Sequence, residues 1–483
     1  MKPFAVQKVL GLLLTLFSLS MLPPALVSLM YKDGTTLPFL IAFVLILVSG
    51  LSIWLPVYKR RDDLRLRDGF LVVVLFWTVL GLSGSLPSIL ADNPHLSTTD
   101  AIFESMSGLT TTGATVIIGI DELPESILYY RQQLQWLGGM GIIVLAVAVL
   151  PMLGIGGMQL YRAETPGPMK DSKLTPRITE TAKALWYIYL GLTIACGTAY
   201  WLAGMSAFDA VGHAFSTVAI GGFSTHDASM GFFDNTTIEM IAVVFMLLSG
   251  VNFALHYVAW NRKLPSVYWR DSEFRFYFAL MVAATVVVTV TLYYTATYTL
   301  WEDAFTQGLF QVVSVGTTTG FTTAEFYFWP PFLEILLLFT SFVGGCAGST
   351  GGGIKVIRFL LLIKQGLREI TRLIHPNAQI PVRMGRKSVN HRVVDAVWGF
   401  FSLYVASFTF MYLALAATGL DLMTAFSAVA ACINNLGPGL GNVGANYAGL
   451  HDPAKWILCF AMLLGRLEIF TLLVLLTPAF WRR

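Results

Sequence analysis

The fold is decided by the stretch Thr99-Asp-Ala-Ile-Phe-Glu-Ser-Met-Ser-Gly-Leu-Thr-Thr-Thr-Gly113, which recurs along the chain. Aligned on its last glycine, three further copies are Phe208-Asp-Ala-Val-Gly-His-Ala-Phe-Ser-Thr-Val-Ala-Ile-Gly-Gly222, Thr306-Gln-Gly-Leu-Phe-Gln-Val-Val-Ser-Val-Gly-Thr-Thr-Thr-Gly320 and Met423-Thr-Ala-Phe-Ser-Ala-Val-Ala-Ala-Cys-Ile-Asn-Asn-Leu-Gly437. Small residues match at two earlier offsets, which are occupied by Ala101, Ala210, Gly308 and Ala425, and by Ser107, Ser216, Ser314 and Ala431. The matches indicate a degenerate fourfold repeat.

Each copy predicts a short helix followed by an extended run that ends at the glycine. A helix of about nine residues is roughly 13 Å long, which is half of a hydrocarbon core. Non-helical backbone at that depth must be buried in protein or line a water-filled cavity. Four such runs predict one shared cavity whose carbonyl oxygens replace the hydration shell of a cation. Glycine-mediated helix packing is the alternative, but packing does not require half-length helices.

The composition predicts an all-α integral membrane protein. Of 483 residues, 55% are hydrophobic and 12% charged, about half the charged share of a soluble domain. Segments long enough to span a bilayer lie at about 9–30, 38–57, 69–91, 132–157, 183–204, 237–260, 274–297, 331–363, 393–418 and 454–480. The first segment is too long for a signal peptide and contains Pro23-Pro24, so we expect a retained helix.

These segments divide the chain into two extra N-terminal helices and four repeats of helix, pore loop and helix around one pseudo-fourfold pore. The predicted divisions are 1–68 for the N-terminal helices and 69–182, 183–272, 273–391 and 392–483 for the repeats.

Charge predicts the orientation. Basic residues cluster in loops at 58–68, 158–182, 261–273 and 364–392, whereas the opposite loops hold only Lys32, Arg131 and Lys455 of the 31 lysines and arginines. The positive-inside rule therefore places both termini in the cytoplasm. The outer loops carry many acids, among them Asp92, Asp100, Glu104, Asp121, Glu122, Glu125, Asp209, Asp227, Glu302 and Asp303. Such an outer mouth would concentrate cations.

The ligand chemistry favours an alkali cation. Backbone and hydroxyl oxygens are hard ligands that suit K+ or Na+, and no His, Cys and Asp constellation suggests a transition metal. The four cysteines lie in apolar or pore-loop segments and are expected to be small buried residues. The chain contains no nucleotide-binding motif and nothing that indicates nucleic-acid binding.

Four motifs resemble those of the Trk/Ktr/HKT superfamily of potassium transporters, and most closely the membrane subunits of bacterial Trk systems. They are Gly108-Leu-Thr-Thr-Thr-Gly-Ala-Thr115, Ala219-Ile-Gly-Gly-Phe-Ser-Thr-His-Asp227, Gly344-Gly-Cys-Ala-Gly-Ser-Thr-Gly-Gly-Gly353 and Asn434-Asn-Leu-Gly-Pro-Gly439. The resemblance covers the whole chain. The two extra helices at about 9–57 favour the Trk subunits over KtrB-type relatives, which lack them.

The resemblance implies K+ uptake across the bacterial inner membrane through a gated, channel-like selectivity filter. The implied K+ ligands are backbone oxygens of Thr111 and Thr112, Ile220 and Gly221, Thr318 and Thr319, and Asn435 and Leu436, followed by the filter glycines Gly113, Gly222, Gly320 and Gly437. Two of the four runs lack the threonine pattern. We therefore expect an unsymmetric ring that also passes Rb+ and some Na+.

The helix after the third run is predicted to be broken. Gly344 to Gly353 holds too many glycines for a stable helix interior, and its spacing does not fit a phosphate-binding loop. We expect a flexible gate below the filter, although close helix packing is an alternative. The gate residues are Gly344, Gly345, Gly348, Ser349, Thr350, Gly351, Gly352, Gly353, Lys355 and Arg466. The glycines Gly138, Gly139, Gly141, Gly250 and Gly465 are either hinges or packing residues.

Arg466 is predicted to face the pore from the middle of an apolar helix between Trp456 and Leu476. An ionised side chain in such a position costs at least about 2.5 kcal/mol unless it is paired or hydrated. Glu468 lies two residues further on and therefore on another face of the helix. We expect Arg466 to repel cations when the gate is closed.

Partners and alternatives complete the sequence predictions. The resemblance implies a TrkA-like cytosolic ring that binds NAD(H) or ATP, and a homodimer of this chain. Docking is expected at Pro166-Gly-Pro168, Pro176, Pro265 and 375–392, although the basic loops could equally bind anionic lipid. An H+- or Na+-coupled symporter is the second reading, with Glu468 and His256 as its titratable candidates. A membrane enzyme is disfavoured because the histidines are scattered along the sequence.

Overall fold

The protein is built almost entirely of helices, and its computed structural model describes residues 2–60, 65–139, 141, 178–385 and 387–482. Arg61, much of the predicted span 132–157 and the loop positions up to Arg177, including Pro166-Gly-Pro168 and Pro176, lie outside the described residues. A two-stranded antiparallel hairpin pairs β1 (Arg383–Met384) with β2 (Lys387–Ser388).

The described helices follow in chain order. They are α1 (Pro3–Ser18), α2 (Leu22–Tyr31), α3 (Thr36–Trp54), α4 (Leu66–Gly84), α5 (Leu86–Leu90), α6 (Thr98–Leu109), α7 (Glu125–Gly139), α8 (Ile178–Leu202), α9 (Ala207–Ala219), α10 (Thr236–Ser249), α11 (Phe253–Arg262), α12 (Ser266–Arg270), α13 (Ser272–Tyr294), α14 (Trp301–Gly316), α15 (Pro331–Val343), α16 (Val356–Ile374), α17 (His391–Ala416), α18 (Leu422–Ile433), α19 (Asp452–Arg466), α20 (Phe470–Leu476) and α21 (Pro478–Trp481). Short 3-10 turns lie at Leu19–Met21, Leu55–Val57, Ile120–Glu122, Ser229–Phe233, Phe326–Phe328 and Gly441–Val443.

Long apolar helices confirm the predicted all-α membrane fold. Among the described residues, 6 helical stretches are long and apolar enough to cross a bilayer, or 8 if two bent helix pairs each count as one span. The N-terminal helices α1 and α3 pack against each other, and α1 also packs against α4. The N-terminal pair therefore lies against the outside of the first repeat.

Four short helices, α6, α9, α14 and α18, carry the repeated stretches and lie inside the longer ones. Each packs against the long helix before it in the chain, α4, α8, α13 or α17, and against the second helix of the repeat before it. Thus α7 packs on α9, α10 on α14 and α15 on α18, while α19 packs on α6. These contacts close a ring in the order of the chain.

The short helices are longer than the nine residues expected from the sequence. They contain 12, 13, 16 and 12 residues, and each begins at least one residue before its aligned stretch. Side chains of Ser97, Ser206 and Asp421 accept hydrogen bonds from the first turns of α6, α9 and α18, which fixes those starts. Even 16 residues span only about 24 Å, so none crosses a hydrocarbon core of about 30 Å.

Two predicted spans are not continuous helices, which corrects the sequence interpretation. The span at 237–260 bends by 93° between α10 and α11, where the Asn252 side chain accepts from Ala254 N and begins a new helix. The span at 454–480 bends by 118° between α19 and α20. There Glu468 and Ile469 both have positive φ, at 51° and 55°, and end the helix. The break predicted between α15 and α16 is present.

Candidate functional site: a ring of four strands

The four glycines of the repeats meet in one ring. A Cβ atom added to Gly113 would lie 2.1 Å from the carbonyl oxygen of Gly221 in the second repeat. The same construction places Gly222 against Thr319 O at 2.1 Å, Gly320 against Leu436 O at 2.1 Å, and Gly437 against Thr112 O at 2.6 Å. Each glycine therefore faces the carbonyl of the next repeat, and the fourth closes on the first.

The extended run before each of these glycines is called a strand below, although it forms no sheet. In each strand the sign of φ alternates over three successive residues. Positive φ occurs at Thr111, Ile220, Thr318 and Asn435, and again at Gly113, Gly222, Gly320 and Gly437, whereas the residue between each pair has negative φ. In an ordinary strand successive carbonyls point to opposite sides, because φ keeps one sign. Alternating the sign turns successive carbonyls toward the same side. The four runs are thus built alike in backbone although they differ in sequence.

Each strand is tied to the end of its short helix by the same pair of hydrogen bonds. Thr111 N donates to Gly108 O at 3.0 Å and Thr112 N to Ser107 O at 2.8 Å. The equivalent inner bond in the other repeats joins Gly221 N to Ser216 O, Thr319 N to Ser314 O, and Leu436 N to Ala431 O, at 2.7–2.8 Å. This is the pattern of a Schellman helix end, whose left-handed residue is usually glycine. Here threonine, isoleucine and asparagine occupy that position.

The side chains that support the strands differ between repeats. In the first and third repeats, neighbouring hydroxyls bond to each other: Thr110 to Thr112 at 2.8 Å and Thr317 to Thr319 at 2.7 Å. In the fourth, Asn435 Nδ2 donates to Thr112 Oγ1 at 2.9 Å and to Met462 O at 3.1 Å. The fourth strand is therefore supported both from the first repeat, through Thr112, and from the second helix of its own repeat, through Met462.

A polar side chain on each short helix also holds the chain just beyond the filter glycine, a feature that the sequence interpretation missed. Glu104 accepts from Val116 N at 3.0 Å, and His213 Nε2 lies 2.9 Å from Ser224 Oγ. The Gln311 amide, oriented so that both of its ends are satisfied, accepts from Ala324 N at 3.2 Å, and Ser427 Oγ accepts from Leu440 N at 2.9 Å. The signal was available, since Glu104, His213 and Gln311 stand at the same offset from their glycines.

The loop between α15 and α16 lies against the helix-end side of the ring. Gly352 N donates to Thr318 Oγ1 at 2.7 Å, and Gly353 N donates to Asn434 O at 3.1 Å, which reaches the third and fourth repeats. Thr350 Oγ1 donates to Val218 O at 3.0 Å in the second repeat. Three of the predicted gate residues therefore contact the third strand or the helix ends that lead into the second and fourth strands.

The rest of the loop is folded back on itself and on its neighbours. Gly344 ends α15 with a φ of 69°, Val356 N donates to Gly345 O at 3.1 Å, and Ser349 Oγ donates to Cys346 O at 2.7 Å. Phe253 N of α11 donates to Gly348 O at 3.0 Å, and Lys355 Nζ donates to Gly351 O within the loop. Hydrogen bonds within the loop and to helix α11 thus fix its conformation.

Arg466 connects this loop to the first repeat. Its guanidinium donates to Thr350 O at 3.3 Å, to Thr111 Oγ1 at 3.2 Å, and to Gly138 O. The sequence placed Arg466 within a continuous helix, and that was wrong: Arg466 is the last residue of α19. The C-terminal end of a helix carries partial negative charge, which favours an arginine there.

Glu468 does not pair with Arg466. Its carboxylate instead forms a buried ion pair with Arg358 of α16, whose guanidinium also stacks over Phe400 at 4.3 Å. This pair joins the helix that follows the loop to the turn that follows α19. Lys355, Arg358 and Arg466 together put three cationic side chains near the loop.

Part of the expected acidic surplus at the outer mouth is neutralised. Buried Arg131 pairs with Glu104 at 2.8 Å, and Lys455 pairs with Asp100 at 2.6 Å. The sequence placed both bases in outer loops, but they lie in helices α7 and α19, and their side chains are buried against these carboxylates. The exposed acids that remain there include Asp92, Asp121, Glu122, Glu302 and Asp303.

Two histidines that are separate in the sequence meet at the outer mouth. The rings of His213 and His226 stack at 6.5 Å, and His226 lies 2.6 Å from Asp121 and 3.5 Å from Asp209. Burial alone lowers the pKa of His226, but hydrogen bonds and charges of Asp209 and Asp121 outweigh it and raise the pKa above 6.5. For Asp121, hydrogen bonding to His226 likewise outweighs burial and lowers the carboxyl pKa.

The groups that meet in the ring are backbone oxygens rather than side-chain metal ligands. Within the described ranges, no group of three or more His, Cys, Asp or Glu side chains could hold a metal ion. Backbone carbonyls are hard oxygen ligands, the kind that hard cations prefer over transition metals.

Comparison with known proteins places the chain among cation transporters. The model of the TrkH family, described as "Cation transport protein", matches residues 37–483. The "Trk system potassium uptake protein TrkH" of Vibrio parahaemolyticus is 61% identical over 480 residues, and that of Escherichia coli strain K12 is 55% identical over 478. Both alignments cover 99% of each chain. The crystal structure of the potassium transporter TrkH from Vibrio parahaemolyticus superposes with a TM-score of 0.91 at 58% identity and 100% coverage of both chains.

Proposed function

Because the chain belongs to the TrkH family of cation transport proteins, we propose that it takes up K+ through the ring of four strands. The family is one of transporters, and the protein is not an enzyme. The names of its relatives as potassium uptake proteins support the choice of ion. The single observation that carries the proposal is the closed ring, in which each filter glycine faces the carbonyl of the next repeat.

In this proposal K+ is held by backbone oxygens of the residue pairs that precede the filter glycines. These are Thr111 and Thr112, Ile220 and Gly221, Thr318 and Thr319, and Asn435 and Leu436. The alternating sign of φ supports this assignment, since it turns successive carbonyls to one side in all four repeats. The C-terminal ends of α6, α9, α14 and α18 would add partial negative charge at the cation.

The ring is expected to accept Rb+ as well as K+ and to pass some Na+. Its side-chain supports differ from repeat to repeat, so its four carbonyls are held with unequal stiffness. The test is to measure the isotope flux of K+, Rb+ and Na+ in proteoliposomes that contain the purified protein and to compare it with the flux in protein-free vesicles. Equal K+ and Rb+ flux with no measurable Na+ flux would contradict the permissive filter, and absence of K+ flux would contradict the transport proposal itself.

The loop from Gly344 to Lys355, together with Arg466, would act as the gate. Arg466 donates to the loop at Thr350 and to the filter strand at Thr111, so it joins the two on the helix-end side of the ring. Replacing Arg466 by alanine removes a positive charge and both contacts, and should raise partner-independent K+ leak. Arg392→Ala, at an exposed position in the first turn of α17, is the matched control. Unchanged leak in Arg466→Ala would contradict the gate.

A separate cytosolic ring of the TrkA type, binding NAD(H) or ATP, would move this gate. Exposed basic residues on the loops at 261–273 and 364–392 offer it a surface, and the same residues could hold anionic lipid. Patch recording of purified protein with and without the ring, under ATP, ADP and NADH, separates these partners. Channel activity that no ring and nucleotide combination alters would contradict the partner.

We also propose that the chain lies in the bacterial inner membrane with both termini in the cytoplasm. The proposed divisions of the chain are 1–68, 69–182, 183–272, 273–391 and 392–483.

We further propose that the chain forms a homodimer. Helix α16 exposes an apolar stripe at Leu367, Ile370 and Leu373, the last of these 84% exposed. The native cysteines are all buried, so Leu373→Cys introduces one accessible thiol. Oxidative cross-linking in native membranes should give a dimer with Leu373→Cys and none with the parent chain.

The alternative is a symporter coupled to H+ or Na+. Its titratable candidates lie away from the ring: Glu468 is paired with Arg358, and His256 is held between Tyr268 and Leu248. Single-channel steps favour the channel, whereas uptake that stops when the proton gradient is collapsed at constant voltage favours the symporter.

A further inference from the structure

The second helix of the first repeat, α7, is unlike its counterparts because it turns three buried polar side chains toward the second strand. Arg131 Nη1 donates to Ser224 O at 3.2 Å, and Gln132 Nε2 donates to Phe223 O at 3.4 Å. Gln135, which is 0% exposed, makes two more bonds further along the same strand. The counterparts α10, α15 and α19 carry mainly aliphatic residues there, such as Met246 and Met462.

Gln135 brackets the filter position of the second repeat. Its Nε2 donates to Gly221 O at 2.6 Å, and its Oε1 accepts from Phe223 N at 3.0 Å. Both ends of the amide are therefore satisfied by backbone on either side of Gly222. The oxygen that receives the amide hydrogen is one of the carbonyls that meet in the ring.

The amide also occupies the space of a missing side chain. The second repeat has Gly221 where the first and third have Thr112 and Thr319. A Cβ atom added to Gly221 would lie 2.4 Å from Gln135 Cδ, 2.5 Å from Oε1 and 2.8 Å from Nε2. Gly221 has negative φ, so its backbone does not require glycine; the approach of Gln135 does.

We infer that Gln135 is a specificity-determining residue of the filter and substitutes, from the first repeat, for the threonine that the second strand lacks. The inference rests on the proposed function, since it assigns a role within the K+ filter. In the first and third repeats a pair of threonine hydroxyls braces the strand from within. In the second, the Gln135 amide braces it from outside and sets the position of the Gly221 carbonyl. Discrimination between ions depends on the size of the cage and the strength of its carbonyls.

Gln135→Met tests this assignment, because methionine keeps an unbranched chain of similar length without the two hydrogen bonds. The K+ to Na+ flux ratio in proteoliposomes should fall about 2- to 12-fold, the range that corresponds to the net worth of the one lost hydrogen bond that acts on a ring carbonyl, Gln135 Nε2 to Gly221 O. Gln133→Met is the matched control: Gln133 is buried on the same helix, but its Nε2 donates to Ser20 O at 2.8 Å, away from the ring. An unchanged ratio in Gln135→Met overturns the inference.

A suppressor pair provides a second test that does not depend on the folding of one variant. Gly221→Ser alone should abolish uptake, because its side chain meets the buried amide. Gly221→Ser combined with Gln135→Ala removes that contact and returns a hydroxyl to the strand, so uptake should recover. A double variant no better than Gly221→Ser alone overturns the inference.

These outcomes are separable from failure of the proposed function. If the parent protein moves no K+, the transport proposal fails, whatever the variants do. If the parent moves K+ and all variants keep its flux ratio, transport stands and the role of Gln135 does not.

Discussion

Glu273 should control how tightly the gate loop is held, and its replacement gives a sharp test of the gate. It is buried in the first turn of α13, and its Oε1 accepts from Ala347 N at 2.7 Å and from Ile357 N at 3.2 Å. One carboxyl oxygen thus joins the middle of the loop to the helix that leaves it. No residue of the loop itself provides an acceptor for either donor in the structure.

The size of the effect follows from those two donors. Glu273→Ala leaves the buried Ile357 N–H and the partly buried Ala347 N–H without an acceptor, at about 1–3 kcal/mol each, so the closed loop loses about 2–6 kcal/mol. If the opened loop hydrates both groups, the closed-to-open ratio shifts roughly 30-fold to roughly 10⁴-fold. Glu273→Gln keeps an amide oxygen for both donors and should have a smaller effect in the same direction.

The assay is Rb+ efflux from loaded proteoliposomes that contain the purified protein and no cytosolic partner. Leak should rise in the order parent, Glu273→Gln, Glu273→Ala. Glu239→Ala is the control, because Glu239 is also buried in the first turn of a helix, α10, but does not contact the loop. If the leak of Glu273→Ala equals that of the parent, the loop is not the barrier, and the assignment of the gate is refuted.

Two further predictions use contacts outside the gate. Gly113→Ala should abolish K+ flux, since its Cβ would meet Gly221 O, whereas Gly119→Ala, also at positive φ but with nothing within 4 Å, should bear only backbone strain and retain flux. For His226, whose pKa is raised, the ion pairs with Asp121 and Asp209 are complete below about pH 6.5 and are lost as pH rises through the raised pKa. The melting temperature of purified protein should therefore fall over that window, and His226→Gln should flatten the profile; equal profiles would refute the link.

The four glycines were the most predictive feature of the sequence. Their matched offsets predict four short helices, four extended runs and one shared cavity. This worked because glycine is required where another backbone approaches closely, and the carbonyl of the next repeat lies 2.1–2.6 Å from a Cβ at each of the four positions. The roles of the ring and its ligands remain proposals that flux measurements test.

The left-handed residues two positions before those glycines could not be predicted. Thr111, Ile220 and Thr318 are β-branched, and such residues rarely adopt positive φ. The conformational preferences of these residues therefore disfavour the left-handed conformation that they adopt in the structure. The strain, of order 1–2 kcal/mol per residue, is offset by the helix-end bonds and by packing around the ring. Only Asn435 has a side chain that favours this region.

The helix break after Arg466 was also hidden in the sequence. The segment from Trp456 to Leu476 has no glycine or proline after Gly465, and its apolar residues continue on both sides. The break forms because the carboxylate of Glu468 reaches Arg358 on α16, a partner far away in the chain. Gly465, one of the glycines considered as a hinge, stands just before the break, but the apolar pattern continues past it and the partner of Glu468 lies far away in the chain.

The unequal sequences of the four runs predicted an unequal ring. In the structure, the side-chain contacts that support the four strands differ, whereas the backbone of the strands does not. The backbone alternates in the same way in all four repeats, so the carbonyl geometry does not depend on which residues are threonine. The supports differ instead: Thr110 braces Thr112 from within its own repeat, whereas Gln135 and Asn435 bond across repeat boundaries. When a side chain from another repeat holds a strand in place, the strand needs no supporting side chain of its own. Its sequence can then differ without a change in its backbone geometry. We therefore expect selectivity in such a ring to respond to substitutions at contacts between repeats, such as Gln135→Met, that leave every filter residue unchanged.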